Sequence, residues 1–110
     1  MDLDNKRFVT TENAEGTSSS ETIFHYYQKG EVITGNYQGG LIAEGNIVGK
    51  QTGENEIQLL FQCLTTDGEL KTGESRGMVS EVDGKLHLAF DWSWLNGNKS
   101  GGKSAYVQVV

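Results

Sequence analysis

Residues 73–94 read GESRGMVSEVDGKLHLAFDWSW, and the period of this stretch decides the fold. After Asp83-Gly84, large apolar residues recur at every second position, at Leu86, Leu88, Phe90, Trp92 and Trp94. Before it, Gly73, Ser75, Gly77 and Val79 follow the same period with small side chains. Residues two apart share one face of a β-strand. Asp-Gly tolerates positive φ at both central positions of a two-residue hairpin turn. Closing that turn pairs Val79 with Leu88, Gly77 with Phe90, Ser75 with Trp92 and Gly73 with Trp94. Large rings then stand opposite small residues, which is how a narrow interior is filled without overlap.

The same rhythm extends outward in both directions. Candidate strands are Arg7–Asn13, Glu21–Gln28, Glu31–Gln38, Leu41–Val48, Glu56–Leu64, Glu69–Gly77, Lys85–Trp94 and Ser104–Val109. Turns fall at Lys29-Gly30, Gly39-Gly40, Thr52–Asn55, Asp67-Gly68, Asp83-Gly84 and Asn96–Asn98, and Asn13–Ser20 forms a longer polar connection. Fifteen glycines, no proline and no sustained helical period complete the pattern. A turn at Lys29-Gly30 pairs Gln28 with Glu31, Tyr26 with Ile33, Phe24 with Gly35 and Thr22 with Tyr37. Phe24, Tyr26, Ile33 and Tyr37 then share a face. For Ile57, Leu59 and Phe61 to join it, the Asp67-Gly68 hairpin needs an odd loop, a type I turn followed by a bulge at Gly68. Leu41–Val48 reads two ways, with either Leu41, Ala43, Gly45 and Ile47 inward or Ile42, Glu44, Asn46 and Val48.

An open sheet of about eight strands would leave two unprotected edges, and closure removes them. The expected fold is therefore all-β, an antiparallel up-and-down β-barrel of about eight strands, with a flattened sandwich second. Residues 1–110 suit a single domain.

Composition narrows the partners. Net charge is −6, from 15 acidic and 9 scattered basic residues, which disfavours nucleic acid. No apolar run approaches the roughly 20 residues of a membrane span. The start, MDLDNKR, carries no apolar secretion signal, and the lone Cys63 cannot form an internal disulfide, so a cytoplasmic location is expected. Either a monomer or a homodimer fits the sequence.

Chemical motifs are few. Gly97–Ser104, GNKSGGKS, matches the phosphate-loop pattern, but that mechanism needs a helix after the glycines. The following residues, AYVQVV, are β-prone, so a hairpin is expected instead. His25 and His87 alternate with apolar residues and are expected outside, away from other ligands, so neither a metal nor another cofactor is called for. Cys63 follows the inward phase of Phe61 as a small hydrophobe. Glu44 with Arg76, and Asp91 with Lys85, are candidate cross-strand ion pairs. Turned inward, Glu44 would be a candidate general acid or base.

The aromatic residues remain. Phe24, Tyr26, Tyr37, Phe61, Trp92 and Trp94 face one interior, either as a filled core or as the wall of a pocket for one small hydrophobic or aromatic molecule. The tyrosine hydroxyls would supply its polar contacts. A non-catalytic binding barrel is the leading expectation. An enzyme working in the interior (a cyclase, isomerase or acyltransferase) and a protein-interaction module are the alternatives.

Thr22, Phe24, Tyr26, Gln28, Gly30, Val32 and Ile33, then Gly35, Tyr37, Gly39, Gly40, Ile42 and Gly45, resemble at these spacings a family of small bacterial β-barrel proteins often called N-acetylglutamate synthases. Leu86, Leu88, Trp92 and Trp94, with Gly101, Gly102 and Ser104, extend the resemblance over nearly the whole chain. It implies acyl transfer and brings no catalytic residues with it. Thr34-Gly35-Asn36-Tyr37 is similar to the threonine-glycine-threonine-tyrosine strand of avidin, which implies the architecture of avidin and other calycins.

Overall fold

The computed structural model describes residues 1–13, 17–97 and 99–109. Eight strands follow one another: β1 (Lys6–Asn13), β2 (Ile23–Lys29), β3 (Val32–Gly39), β4 (Ile42–Gln51), β5 (Glu56–Thr65), β6 (Leu70–Val82), β7 (Lys85–Trp94) and β8 (Gly101–Val109). Each pairs antiparallel with its successor, and β8 returns to β1, so the sheet closes into a barrel with no free edge. No helix occurs among the described residues.

Hairpin chemistry sets the register. Asp83 (φ 53°) and Gly84 (φ 79°) both take positive φ, and Val79, Gly77, Ser75 and Gly73 pair with Leu88, Phe90, Trp92 and Trp94 as the sequence predicts. At Asp67-Gly68 the loop is odd, as required. The Gly68 amide donates to the Thr65 carbonyl at 3.0 Å, Gly68 takes φ 89°, and Leu64 pairs with Leu70.

The first hairpin differs from expectation. Its turn lies one residue later, at Gly30-Glu31, so Lys29 pairs with Val32, Tyr26 with Gly35 and Phe24 with Tyr37. Only Gly30 (φ 61°) of the two turn residues has positive φ, the pattern of a type II′ turn with glycine in its first central position. A turn at Lys29-Gly30 would ask Lys29 for that conformation. Because the register moves by two residues, every side chain keeps its face. Phe24 now stacks on Tyr37, with centroids 4.8 Å apart and planes at 16°.

The ambiguity in β4 resolves into both readings at once. Ile42, Gly45 and Ile47 are buried, while Leu41, Ala43 and Glu44 are exposed. Ala43 is an extra residue against both neighbours: Ile42 and Glu44 pair with the adjacent Thr65 and Leu64. Across β3, Gly39 meets Ile42 and Tyr37 meets Gly45. A β-bulge therefore switches the phase of the strand midway.

Candidate functional site: the open end of the barrel

The two ends of the barrel differ. At the end bearing the β2–β3, β4–β5 and β6–β7 turns, Leu3, Phe8, Ile33, Ile57, Val79 and Leu88 are all buried in the hydrophobic core. Toward the β1–β2, β3–β4, β5–β6 and β7–β8 loops the interior stays partly hollow, with a cavity of about 60 Å³. Phe24, Tyr26, Tyr37, Phe61, Trp92 and Trp94, the six residues singled out from the sequence, all line it, together with Phe90 and Tyr106. The rings lock edge to face: Tyr106 against Phe24 at 5.0 Å and Phe90 at 5.6 Å, Trp94 against Phe61 at 5.7 Å and Trp92 at 5.1 Å. These rings fill most of the interior without closing it.

Polar atoms are set into this apolar wall. A bulge in β1 at Thr11 lets Thr10 pair with Tyr106 and Glu12 with the adjacent Ala105, which brings Asn13 opposite Ser104 at the cavity. The Asn13 amide nitrogen donates to the carbonyl and hydroxyl oxygens of Ser18 at 3.1 and 2.8 Å, leaving its Oδ1 buried without a donor. Trp92, 8% exposed, buries its Nε1–H with no acceptor, and the Ser104 hydroxyl lies beside the Tyr106 phenol. Two unmatched groups, Asn13 Oδ1 and Trp92 Nε1, thus face one cavity, and a buried unmatched polar group costs about 1–3 kcal/mol.

The titratable groups inside are held neutral. Burial pushes the Tyr37 phenol far above the usual tyrosine range, and the neighbouring Cys63 thiol reinforces the shift. Burial likewise raises Tyr26, with a smaller push from Tyr106. It raises Tyr106 despite the Ser104 and Ser18 hydroxyls beside it, and raises Cys63 against the opposing effects of Tyr37 and Lys71. The interior thus offers neutral donors and acceptors on an apolar wall.

Lys71 stands at the open end of the barrel. It pairs with the inward-facing Cys63, placing a cation at the first inward position of β6. Its Nζ donates to Thr17 Oγ1 at 3.1 Å, meets Glu69 Oε1 at 3.4 Å and sits 5.0 Å from the centroid of the Trp94 ring. Lys71 and Trp94 also line a separate, open recess of about 560 Å³ with Glu69, Leu70, Asn96, Gly97 and Ser100.

The other sequence candidates lie elsewhere. Gly101–Ser104 belong to strand β8, with no helix to hold a phosphate, and Asn98 is outside the described residues. His25 is on the outer face, bonded to Asn5 Oδ1 at 2.8 Å and stacked on Tyr27, and His87 lies between Ser80 and Val107. Among the described residues no three His, Cys, Asp or Glu side chains are grouped to hold a metal ion. Glu44 is exposed beside Leu64, so it is not a buried acid. The expected ion pairs are replaced. Asp91 meets Lys103, its neighbour across β7–β8, at 3.5 Å, because Lys85 sits at the far end of β7. Arg76 lies between Gln58 and Asp91, away from Glu44.

This geometry has relatives. A family model described as avidin-like protein matches residues 1–109. The chain belongs to the avidin-like family. Two solved structures share its fold. Apo shwanavidin is 12% identical over 96% of this chain and 98% of its own, with a TM-score of 0.69. Short afifavidin, solved as a biotin complex, is 16% identical over 94% of this chain and 87% of its own, with a TM-score of 0.64. No curated protein matches the chain.

Several wall residues of this avidin-like barrel escape the alternation by which the strands are read. Tyr106 is legible in hindsight, since it follows Ser104 at strand spacing. Asn13 is not, because a bulge rather than alternation turns it inward, while Ile42 belongs to one of the two readings of β4 and only the bulge at Ala43 joins it to Gly45 and Ile47. Lys71 is masked by the prior that a lysine faces solvent.

Proposed function

We propose that this avidin-like barrel is a non-catalytic receptor for one small molecule with a neutral, hydrogen-bonding head and an apolar body. One observation carries the reading: Asn13 Oδ1 and Trp92 Nε1 are buried at the same cavity without partners. A head offering both a donor and an acceptor would satisfy them, and the rings would cover its body. The cavity is far below the roughly 300–1,000 Å³ of pockets that enclose drug-sized ligands. The body therefore runs outward past Trp94 and Phe61. Short afifavidin is described as a biotin complex, which makes biotin the first molecule to try.

Titration with biotin and a library of small aromatic and alicyclic amides, ureas and acids tests this. The expected result is a change in tryptophan emission with a saturable isotherm. Trp92→Phe, which keeps a ring and loses the N–H, should weaken binding about tenfold. A flat response throughout, with calorimetry equally silent, would sink the proposal.

A further inference from the structure

We propose that Cys63 captures small, uncharged α,β-unsaturated carbonyl compounds as covalent adducts in the inner cavity. The inference rests on the binding role proposed above and adds a reaction to it. Cys63, 5% exposed, is a free thiol on the cavity wall, between Gly45 on β4 and Lys71 on β6. The Tyr37 ring lies over Gly45, and its hydroxyl hydrogen-bonds the thiol. The same cavity is lined by Trp92, whose buried Nε1–H has no acceptor. A space of about 60 Å³ takes few atoms, so a molecule that fills it meets the thiol and this unmatched donor together.

Apolar rings and neutral hydroxyls form the wall, and a charged head would lose its hydration there. A conjugated carbonyl is neutral, flat and short. Its oxygen accepts from Trp92 Nε1, and its β-carbon takes the sulfur. The S–C bond forms and the C=C π bond breaks, moving an electron pair to the carbonyl oxygen, where the indole N–H donates. The thiol proton ends on the α-carbon, so the adduct keeps every atom and nothing is oxidised or reduced. The thiolate is the attacking form. Burial opposes it most strongly and Glu69 adds to this, while Tyr37 and the Lys71 ammonium favour it. Cys63 is therefore slow towards reagents met by collision and reactive towards those the cavity holds against it.

Intact-mass spectrometry with cyclopentenone and cyclohexenone tests this on the whole chain. Wild type should gain one adduct, at a rate that saturates with enone concentration. Cyclopentanone and cyclohexanone, which lack the double bond, should slow the reaction by occupying the cavity, a readout that needs no variant. Trp92→Phe should raise the half-saturating concentration about tenfold, and Cys63→Ser should give no adduct. A rate that stays linear in enone and ignores the saturated ketones means an ordinary exposed thiol, and overturns the inference. An adduct on Cys63→Ser overturns it too. So does a native chain that stays unlabelled by both enones while the urea-unfolded chain reacts. If the wider library still gives saturable isotherms in those cases, the pocket stands without its reaction; silence there removes both.

Discussion

At single residues, the interior works by setting rings against missing side chains. A Cβ added at Gly77 would overlap the Phe90 ring and lie 2.9 Å from the Ala89 carbonyl oxygen, and one at Gly45 would overlap the Tyr37 ring. Gly77→Ala should therefore cost about 1–3 kcal/mol, as overpacked cores do, in urea denaturation. Combining it with Phe90→Leu should give a favourable coupling of at least about 0.5 kcal/mol in a double-mutant cycle, because the smaller side chain can yield. Additivity would mean that the ring is not the obstacle. The Gly77–Phe90 match is legible in the sequence alone, since Asp83-Gly84 fixes its register. The inward phase of Trp92 and Trp94 follows from the same turn. Asn13, Ser104 and Lys71 are not legible in this way. A polar or charged side chain inside a barrel contradicts the burial pattern by which strands are read, and only three-dimensional closure shows what it meets.

At the level of the strand, the bulges at Thr11 and Ala43 carry what alternation cannot. Each adds one residue near the open end and so changes which side chains face inward. From Gly45 and Ile47 alone, strict alternation would turn Ala43 inward and Ile42 out. The observed strand buries Ile42 because Ala43 stands outside the pairing with both neighbours. Deletions separate these two cases. Removing Ala43 leaves Ile42 inward, Glu44 outward and Gly45 inward in a regular strand, so this variant should fold with a loss below about 2 kcal/mol. Removing Asn46, in the regular stretch, makes Gly45 and Ile47 adjacent and forces one to the wrong face, which should abolish folding or cost several kcal/mol. Circular dichroism and denaturation of the two variants decide it. Equal damage from both deletions would mean that the bulge is not a phase switch. The first turn makes the complementary point: a register error of two residues preserves every face, so the expected wall stands although the expected pairs do not.

Across the whole molecule, closure buries phenols in a core with no charge to meet them, and this ties stability to alkaline pH. Tyr26, Tyr37 and Tyr106 all have folded pKa values raised above the ordinary 10.0, chiefly by burial, and Cys63 is raised above 9.0. For an acid whose folded pKa is raised, the native state keeps its proton where the unfolded chain has lost it. Stability is therefore fully present below the unfolded values and falls as pH climbs past them. Each such group contributes a slope of about 1.4 kcal/mol per pH unit, so three phenols give up to about 4 kcal/mol per unit above pH 10. Against a typical domain stability of about 5–15 kcal/mol, the barrel should unfold cooperatively roughly one to four units above pH 10. The tyrosinate absorbance of the buried phenols should rise together with the loss of β-sheet circular dichroism. Tyr26→Phe removes one linked proton and should make the fall in stability with pH shallower by about a third. Three phenols that ionise near pH 10 while the sheet stays intact would show that water reaches them in the native state. A wall that wet would not hold Asn13 and Trp92 away from solvent, and the pocket would lose the unmatched polar atoms on which its proposed function depends.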